Sequence, residues 1–133
     1  MKAQPRSCLV DTNIMIALFA GDPNITGLLR NFTAIHVPIP VLGELYHGAA
    51  KSSRINENVE RLEKYVSVLG KLDCDHQTAR QYGKVKHELE QKGRPIPEND
   101  IWIAALALQH DLAVVTRDRH FKEVIGLHLQ LIV

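Results

Sequence analysis

The amino-acid sequence predicts an α/β fold with a mostly parallel central sheet and helices on both faces of that sheet. Short apolar runs alternate along the chain with longer segments of helical periodicity. Strands that are separated by helices of this length pair in parallel through crossover connections. The near-continuous apolarity of Leu9-Val10 and Val114-Val115 indicates strands that are buried on both faces. The length of 133 residues is typical of one domain, so we expect a single domain over residues 1–133.

The strands are predicted from short apolar runs that end at prolines or polar residues. The first run is closed by Pro5 and Asp11, and the second is closed by Pro38 and Pro40. Both kinds of residue are uncommon inside central strands. The predicted strands are residues 7–10, 34–37, 66–69, 113–116 and 129–133.

The helices are predicted from apolar residues three or four positions apart and from capping residues. Asp22 before Pro23 is typical of a helix start, as is Asp75 followed by Thr78. Gly93 is typical of the position just beyond a helix. The predicted helices are residues 12–20, 22–31, 41–49, 55–65 and 75–91, one that begins at Pro97, and a short one at 120–125.

Composition excludes several classes of protein. The 16 Lys and Arg residues nearly balance the 15 Asp and Glu residues, and the net charge of +1 excludes nucleic-acid binding by bulk charge alone. Two cysteines are too few for a disulfide framework or a zinc knuckle. No apolar run resembles a secretory signal or approaches the roughly 20 residues of a membrane span. We therefore expect a cytoplasmic protein that makes no membrane contact.

Two aspartates follow predicted parallel strands, where open α/β sheets bind their ligands. Asp11 comes directly after the first strand, and Asp118 lies two residues beyond Thr116, the last residue of the fourth. Each aspartate taken alone is equally typical of a helix N-cap. Both carboxylates are nevertheless expected at the same edge of the sheet.

Two further acids lie on or beside apolar helix faces. Asp100 shares a helical line with Ile103, Ala104 and Ala107, so its carboxylate is expected to face the core. Burying an ion costs several kcal/mol unless the ion is paired or coordinated, whereas a helix N-terminus returns only about 0.3–1 kcal/mol. We therefore interpret Asp100 as functional. Glu44 borders the apolar stripe of its helix and is equally compatible with a functional or a solvated side chain.

Four carboxylates at one edge of a sheet would repel one another and raise at least one pKa unless a cation is present. Mg²⁺ and Mn²⁺ prefer oxygen ligands, and Mg²⁺ commonly combines a few carboxylates with water and phosphate oxygens. Such a site can activate water against a phosphodiester. The sequence therefore predicts a divalent metal site, if the four acids converge.

Four segments of the chain contain the acids discussed above. The first three are Val10-Asp11-Thr12-Asn13, the segment Val41 to Leu45 around Glu44, and Asn99-Asp100-Ile101-Trp102-Ile103-Ala104-Ala105. The fourth is Thr116-Arg117-Asp118-Arg119-His120-Phe121. Together these segments resemble the PIN-domain family, and their order and spacing are similar to those of its VapC-type ribonuclease toxins. The resemblance extends over the length of the chain, although residues 52–75 carry no family motif.

The resemblance implies a three-layer α/β/α sandwich and hydrolysis of RNA that depends on Mg²⁺ or Mn²⁺. It also implies a small cognate antitoxin that occludes the site, and a homodimer. By this resemblance the catalytic and metal-binding acids are Asp11, Glu44, Asp100 and Asp118, and Asn13 and Thr116 hold the carboxylates in place. Beside Asp118, four side chains are candidates for binding RNA phosphates or are simply solvated, namely Arg117, Arg119, His120 and Lys122.

Two other functions remain open at this point. The same fold could be a non-catalytic module whose acids bind a metal or a partner's arginines, although the complete acidic quartet argues against it. An aspartate-nucleophile phosphatase of the haloacid dehalogenase type also places an aspartate after the first strand. That family has Asp-x-Asp at this point, whereas the second position here is Asn13, and no partner lysine is evident.

Overall fold

The computed structural model describes residues 5–133. Its five strands form one parallel sheet, as the apolar runs predict. The strands are β1 (Ser7–Val10), β2 (Ala34–Pro38), β3 (Gly70–Leu72), β4 (Ala113–Thr116) and β5 (Leu129–Leu131). Their order across the sheet is β3-β2-β1-β4-β5.

Six α-helices and one short 3₁₀ helix connect the strands. They are α1 (Thr12–Phe19), α2 (Pro23–Leu29), α3 (Ile39–Ala50), α4 (Ile55–Val68), α5 (His76–Lys92), α6 (Glu98–His110) and the 3₁₀ helix Arg119–Glu123. All four residues of β4 are buried, and because strand side chains alternate between the faces, both faces of the sheet must be covered. The predicted three-layer α/β/α class is therefore confirmed.

The predicted helix caps are present in the structure. The Asp22 side chain accepts a hydrogen bond from the backbone N–H of Asn24 at 2.9 Å and thereby starts α2. Asp75 and Thr78 form a reciprocal capping box at the start of α5. Gly93 ends α5 with a φ of 67°, a left-handed conformation that glycine adopts without a steric penalty.

The third predicted strand was wrong, because residues 66–68 belong to α4 and the strand β3 begins at Gly70. Val59, Leu62 and Val66 are three and four residues apart, so Val66 extends the inward face of the helix. The strand that follows has only three residues and lies at the sheet edge, where little apolar patterning is required. Smaller differences are the ends of β5 and of the 3₁₀ helix, each within two residues of the prediction.

The core lies between the sheet and the helices on its two faces. The fully buried side chains include Leu9 of β1, Met15 of α1, Ile103 of α6 and Phe121 of the 3₁₀ helix. Among the described residues, no helix combines the length and apolarity that crossing a membrane requires. Burying a side chain such as Leu9 or Ile103 contributes on the order of 1.5–3 kcal/mol, so the inner elements hold the ends of β1 and β4 firmly.

The direction in which successive strands are added to the sheet reverses between β1 and β4. The strands β1, β2 and β3 extend to one side, whereas β4 and β5 lie on the other side of β1. Loops that leave adjacent strands in opposite directions open a crevice at the carboxyl ends of those strands. A ligand site is therefore expected at the residues that follow Val10 and Val115.

Candidate active site

The residues after β1 and β4 are held side by side by the pairing of these two strands. Val10 lies opposite Val115 in the parallel register. The ladder continues one step further, because the backbone N–H of Asp11 donates to the carbonyl oxygen of Val115 at 3.1 Å. The Asp11 side chain caps α1 by accepting from the N–H of Thr12 at 2.7 Å. Asp11 thus caps α1 and also lines the crevice.

Thr116 links two of the predicted acids through one hydroxyl group. This threonine is fully buried, and its Oγ1 donates to Oδ2 of Asp11 at 2.7 Å. The same oxygen accepts from the backbone N–H of Asp118 at 3.0 Å. The hydroxyl therefore sets the position of Asp118 relative to Asp11.

Asn13 forms a second link between the same two acids. Its Nδ2 donates to Oδ2 of Asp118 at 3.2 Å and lies 3.5 Å from Oδ2 of Asp11. Its Oδ1 accepts from the backbone N–H of Arg117 at 3.2 Å. The side chains of Asn13 and Thr116 thus hold the carboxylates in place, at two positions that the sequence had indicated.

Asp100 enters the crevice from the first turn of α6. The residue is 8% exposed, as its place on the buried helix line predicts. Its Oδ2 lies 2.6 Å from Nε2 of His120. One potential ligand atom from each of Asp100, Asp118 and His120 lies within 4.8 Å of the others. These three residues form the tightest group of metal-ligand atoms at the site.

Glu44 reaches the same crevice from α3. Two polar side chains orient its exposed carboxylate: Thr12 donates from Oγ1 to Oε2 at 3.1 Å, and Asn99 donates from Nδ2 to Oε1 at 2.9 Å. Thr12 and Asn99 each adjoin one of the other acids in sequence. These two hydrogen bonds give the Glu44 carboxylate a defined orientation, which a freely solvated side chain lacks.

Crowding and burial shift the pKa values of two acids upwards. Burial raises the pKa of Asp11 to about 6, and the negative charges of Asp100 and Asp118 add to the rise. The hydrogen bonds from Thr116 and Thr12 oppose this shift. Burial also raises the pKa of Asp100, against the opposing effect of His120. Burial is the main cause of both shifts, and repulsion between the neighbouring carboxylates adds to each of them.

All four predicted acids line one open cleft of about 400 Å³. Thr12, Asn99 and His120 line it as well. A separate, mainly apolar cleft of about 260 Å³ adjoins it and shares Thr12, Ile16 and Glu44 with it. Carboxylate oxygens with uncompensated charge are the ligands that hard divalent cations prefer, so the acidic cleft could hold such a metal ion.

The positively charged candidates are arranged differently from the acids. Arg119 and Lys122 are exposed beside the cleft. Arg117 is also exposed, but its guanidinium lies 3.3 Å from a carboxylate oxygen of Asp22. His120 differs from the other three, because its ring lies among the acids. The sequence had indicated His120 only as a candidate for binding RNA phosphates, and its contact with Asp100 was not predicted. The roles of Thr12 and Asn99 were also missed, and the only signal for them is that they adjoin Asp11 and Asp100.

Comparison with known proteins agrees with this geometry. The family model described as PIN domain matches residues 8–127. Ribonuclease VapC2 of Haemophilus influenzae is 34% identical over 125 residues, which cover 92% of this chain and 95% of that protein. A tRNA(fMet)-specific endonuclease VapC of Shigella flexneri is 33% identical with the same coverage. The crystal structure of VapBC2 from Rickettsia felis, bound to a DNA fragment from its promoter, matches with a TM-score of 0.86 and 30% identity, covering 96% of this chain and 99% of that one. The chain therefore belongs to the PIN-domain family and, within it, to the VapC group.

Proposed function

We propose that this protein is a metal-dependent endoribonuclease and the toxin component of a toxin–antitoxin pair. The observation that carries the proposal is the convergence of four carboxylates on one cleft, at the carboxyl ends of β1 and β4, where the order of strand addition reverses. The relatives of the chain support the choice of substrate, because they are named as ribonucleases and as a tRNA endonuclease. The phosphatase alternative is set aside, since the chain belongs to a different family.

We assign the catalytic and metal-binding roles to Asp11, Glu44, Asp100 and Asp118. Mg²⁺ or Mn²⁺ is the proposed metal, because both accept several carboxylate oxygens together with water and phosphate. The bound cation would supply an activated water and neutralise the charge that develops at the scissile phosphodiester. The unusually high pKa of Asp11 fits this assignment, since a divalent cation favours the ionised carboxylate.

The polar neighbours of the acids keep the carboxylates oriented before substrate arrives. Thr116 and Asn13 hold Asp11 and Asp118, and Thr12 holds Glu44. Because these bonds form within the folded protein, no side chain has to be reoriented at the moment of reaction. Supporting contacts of this type commonly change metal affinity or activity 10–100-fold when removed.

The charge distribution allows RNA to approach despite the near-neutral total. Once the four acids of the cleft are set aside, the remaining 11 of the 15 acidic residues face 16 basic residues. Arg119 and Lys122 are exposed next to the cleft, and we propose that they bind RNA phosphates. Arg117 would do so after leaving Asp22.

We propose four further properties of this protein. A small cognate antitoxin occludes the active site, and the chain forms a homodimer in the cytoplasm as a single domain. The apolar cleft beside the acids offers a surface for the antitoxin, because Ile16 at its edge is 57% exposed. Related structures are described as complexes of VapB with VapC.

The test is cleavage of purified RNA by purified protein. Total RNA and initiator tRNA would be incubated with wild type, Asp11→Asn and Asp118→Asn, each with Mg²⁺, with Mn²⁺ and with EDTA. Glu60→Gln, an exposed residue of α4, is the matched control. We expect cleavage by wild type and Glu60→Gln in the presence of metal only. Equal cleavage by the aspartate variants would identify a contaminating nuclease and refute the proposal.

The non-catalytic alternative predicts a different outcome in the same experiment. A module that only binds metal or a partner's arginines would bind Mn²⁺ without cutting any RNA. Sequencing of RNA ends after induced expression of wild type or Asp11→Ala extends the test to all cellular substrates. New ends that appear with wild type alone would establish both the reaction and the RNA that is cut.

A further inference from the structure

The ring of His120 lines the acidic cleft, and 31% of this side chain is exposed. Its Nε2 is buried and lies 2.6 Å from Oδ2 of Asp100, without the alignment of a hydrogen bond. Beyond this ion-pair contact with Asp100, Nε2 has no partner of hydrogen-bond geometry among residues 5–133. A buried nitrogen without a hydrogen bond is unusual, because desolvating such an atom costs about 1–3 kcal/mol.

The position of this ring is imposed by the fold. Phe121, the next residue, is fully buried and anchors the 3₁₀ helix against the core. The rings of His120 and Phe121 lie 5.0 Å apart at an angle of 41°. On the preceding side, the backbone of Asp118 is held by Thr116. The backbone of His120 therefore lies between two fixed points.

The surroundings of Nε2 are those of a metal ligand. Single ligand atoms from Asp100, Asp118 and His120 lie within 4.8 Å of one another. Ligands that are each about 2.1 Å from one octahedral ion are about 3.0 Å apart when adjacent and about 4.2 Å apart when opposite, so Nε2 of His120 and Oδ2 of Asp100 would move slightly apart for all three residues to bind the same ion. A neutral imidazole nitrogen and a carboxylate oxygen are both electron-pair donors, so both can bind the same cation.

We propose that Nε2 of His120 is a ligand of the divalent cation together with Asp100 and Asp118, and that this nitrogen makes the site favour Mn²⁺ over Mg²⁺. Imidazole binds transition-metal ions, whereas Mg²⁺ strongly prefers oxygen ligands and retains its water. The inference rests on the proposed function only in requiring a metal in the cleft. It assigns His120 to the metal rather than to RNA phosphates.

The test is electron spin echo spectroscopy of Mn²⁺ bound to the full-length protein, which detects nitrogen nuclei that are directly coordinated to the ion. Wild type, His120→Gln and the control His76→Gln would be compared, since His76 is exposed at the start of α5. Titration followed by the signal of free Mn²⁺ gives the Kd, and competition gives the Kd for Mg²⁺. Labelling the histidines with ¹⁵N identifies the nitrogen as imidazole in the wild type itself, so the result does not depend on how well a variant folds.

We expect an imidazole nitrogen signal in wild type and His76→Gln and its loss in His120→Gln. The Kd for Mn²⁺ should rise by about tenfold or more in His120→Gln, which is at least the effect of removing a supporting contact. The Kd for Mg²⁺ should change by less than about threefold. Bound Mn²⁺ without a nitrogen signal, or a signal that survives in His120→Gln, would overturn the inference and leave the ribonuclease proposal intact. Absence of Mn²⁺ binding would overturn the inference alone, whereas absence of both Mn²⁺ and Mg²⁺ binding would overturn the proposed function as well.

Discussion

Replacing Asp11 by asparagine should stabilise the metal-free protein at neutral pH while abolishing its proposed activity. Burial raises the pKa of Asp11 from 3.8 to about 6 in the folded state, whereas the unfolded chain keeps the lower value. The folded protein therefore binds this proton more tightly than the unfolded chain does. The resulting stabilisation is complete below about pH 4 and is lost as the pH rises through about 6.

The size of the effect follows from the shift of roughly two pKa units. At about 1.4 kcal/mol per unit, ionised Asp11 costs the folded state about 3 kcal/mol at pH 7 relative to pH 4. Asparagine does not ionise and keeps the bond from the N–H of Thr12, but it no longer accepts the bond from Thr116, which costs on the order of 1 kcal/mol. We expect Asp11→Asn to be about 2 kcal/mol more stable than wild type at pH 7 and about 1 kcal/mol less stable at pH 4.

The assay is urea unfolding followed by circular dichroism in EDTA at pH 4, 5.5 and 7. Glu60→Gln serves as the control, since an exposed side chain changes stability by no more than about 0.5 kcal/mol. Saturating Mn²⁺ should reverse the order at pH 7, because an ion at 100 times its Kd adds about 2.7 kcal/mol to a protein that binds it. If wild type and Asp11→Asn lose or gain stability in parallel from pH 4 to pH 7, the electrostatic reasoning about the cleft is refuted.

Three other substitutions or measurements test the packing around the site. Thr116→Val keeps the shape of the side chain but removes the buried hydroxyl, so the free energy of unfolding should fall by about 1.5–3 kcal/mol. The pKa of Asp11, measured by NMR, should rise further because the hydrogen bond that lowers it is lost. Thr116→Ser, which keeps the hydroxyl, should retain the Asp11 pKa of wild type. Phe121→Ala should lower the free energy of unfolding by about 3–5 kcal/mol in urea, and a loss below 1 kcal/mol would show that the 3₁₀ helix is not anchored by this ring. Iodoacetamide at pH 8 should modify exposed Cys74 only, because Cys8 is fully buried and burial raises the pKa of its thiol to about 12. Mass spectrometry should find both thiols modified only in denaturant. Labelling of Cys8 in the native protein would contradict its burial in β1.

Much of the site was predictable because its acids lie at positions that parallel sheets expose. Asp11 directly follows β1, and Asp118 lies two residues beyond β4, so the topology alone brings them to one edge. Asp100 was predictable for another reason, since its helical line is otherwise apolar and the residue is indeed buried. These predictions depend on short-range periodicity, which the sequence carries directly.

Other features depend on contacts between distant residues and could not be predicted. The close approach of the His120 ring to Asp100 joins residues 20 positions apart, and no local pattern in the sequence specifies it. The hydrogen bond from Asn99 that orients Glu44 joins residues 55 positions apart. The boundary between α4 and β3 failed for a similar reason, because Val66 fits a strand pattern and a helix stripe equally well until the neighbouring elements are known.

The pairing of β1 with β4 also determines when during synthesis the acidic cleft can first exist. Asn13 and Asp118, which share a hydrogen bond in the cleft, are 105 residues apart in the chain. A ribosome that adds about 5–20 residues per second needs roughly 5–20 s to pass from one to the other. During that interval the nascent chain lacks β4, and any fragment that terminates before β4 lacks both Asp118 and the strand that would hold it beside Asp11. For the proposed toxin, interrupted translation would therefore release fragments without an assembled active site, and only chains that extend beyond Asp118 would need to be neutralised by an antitoxin.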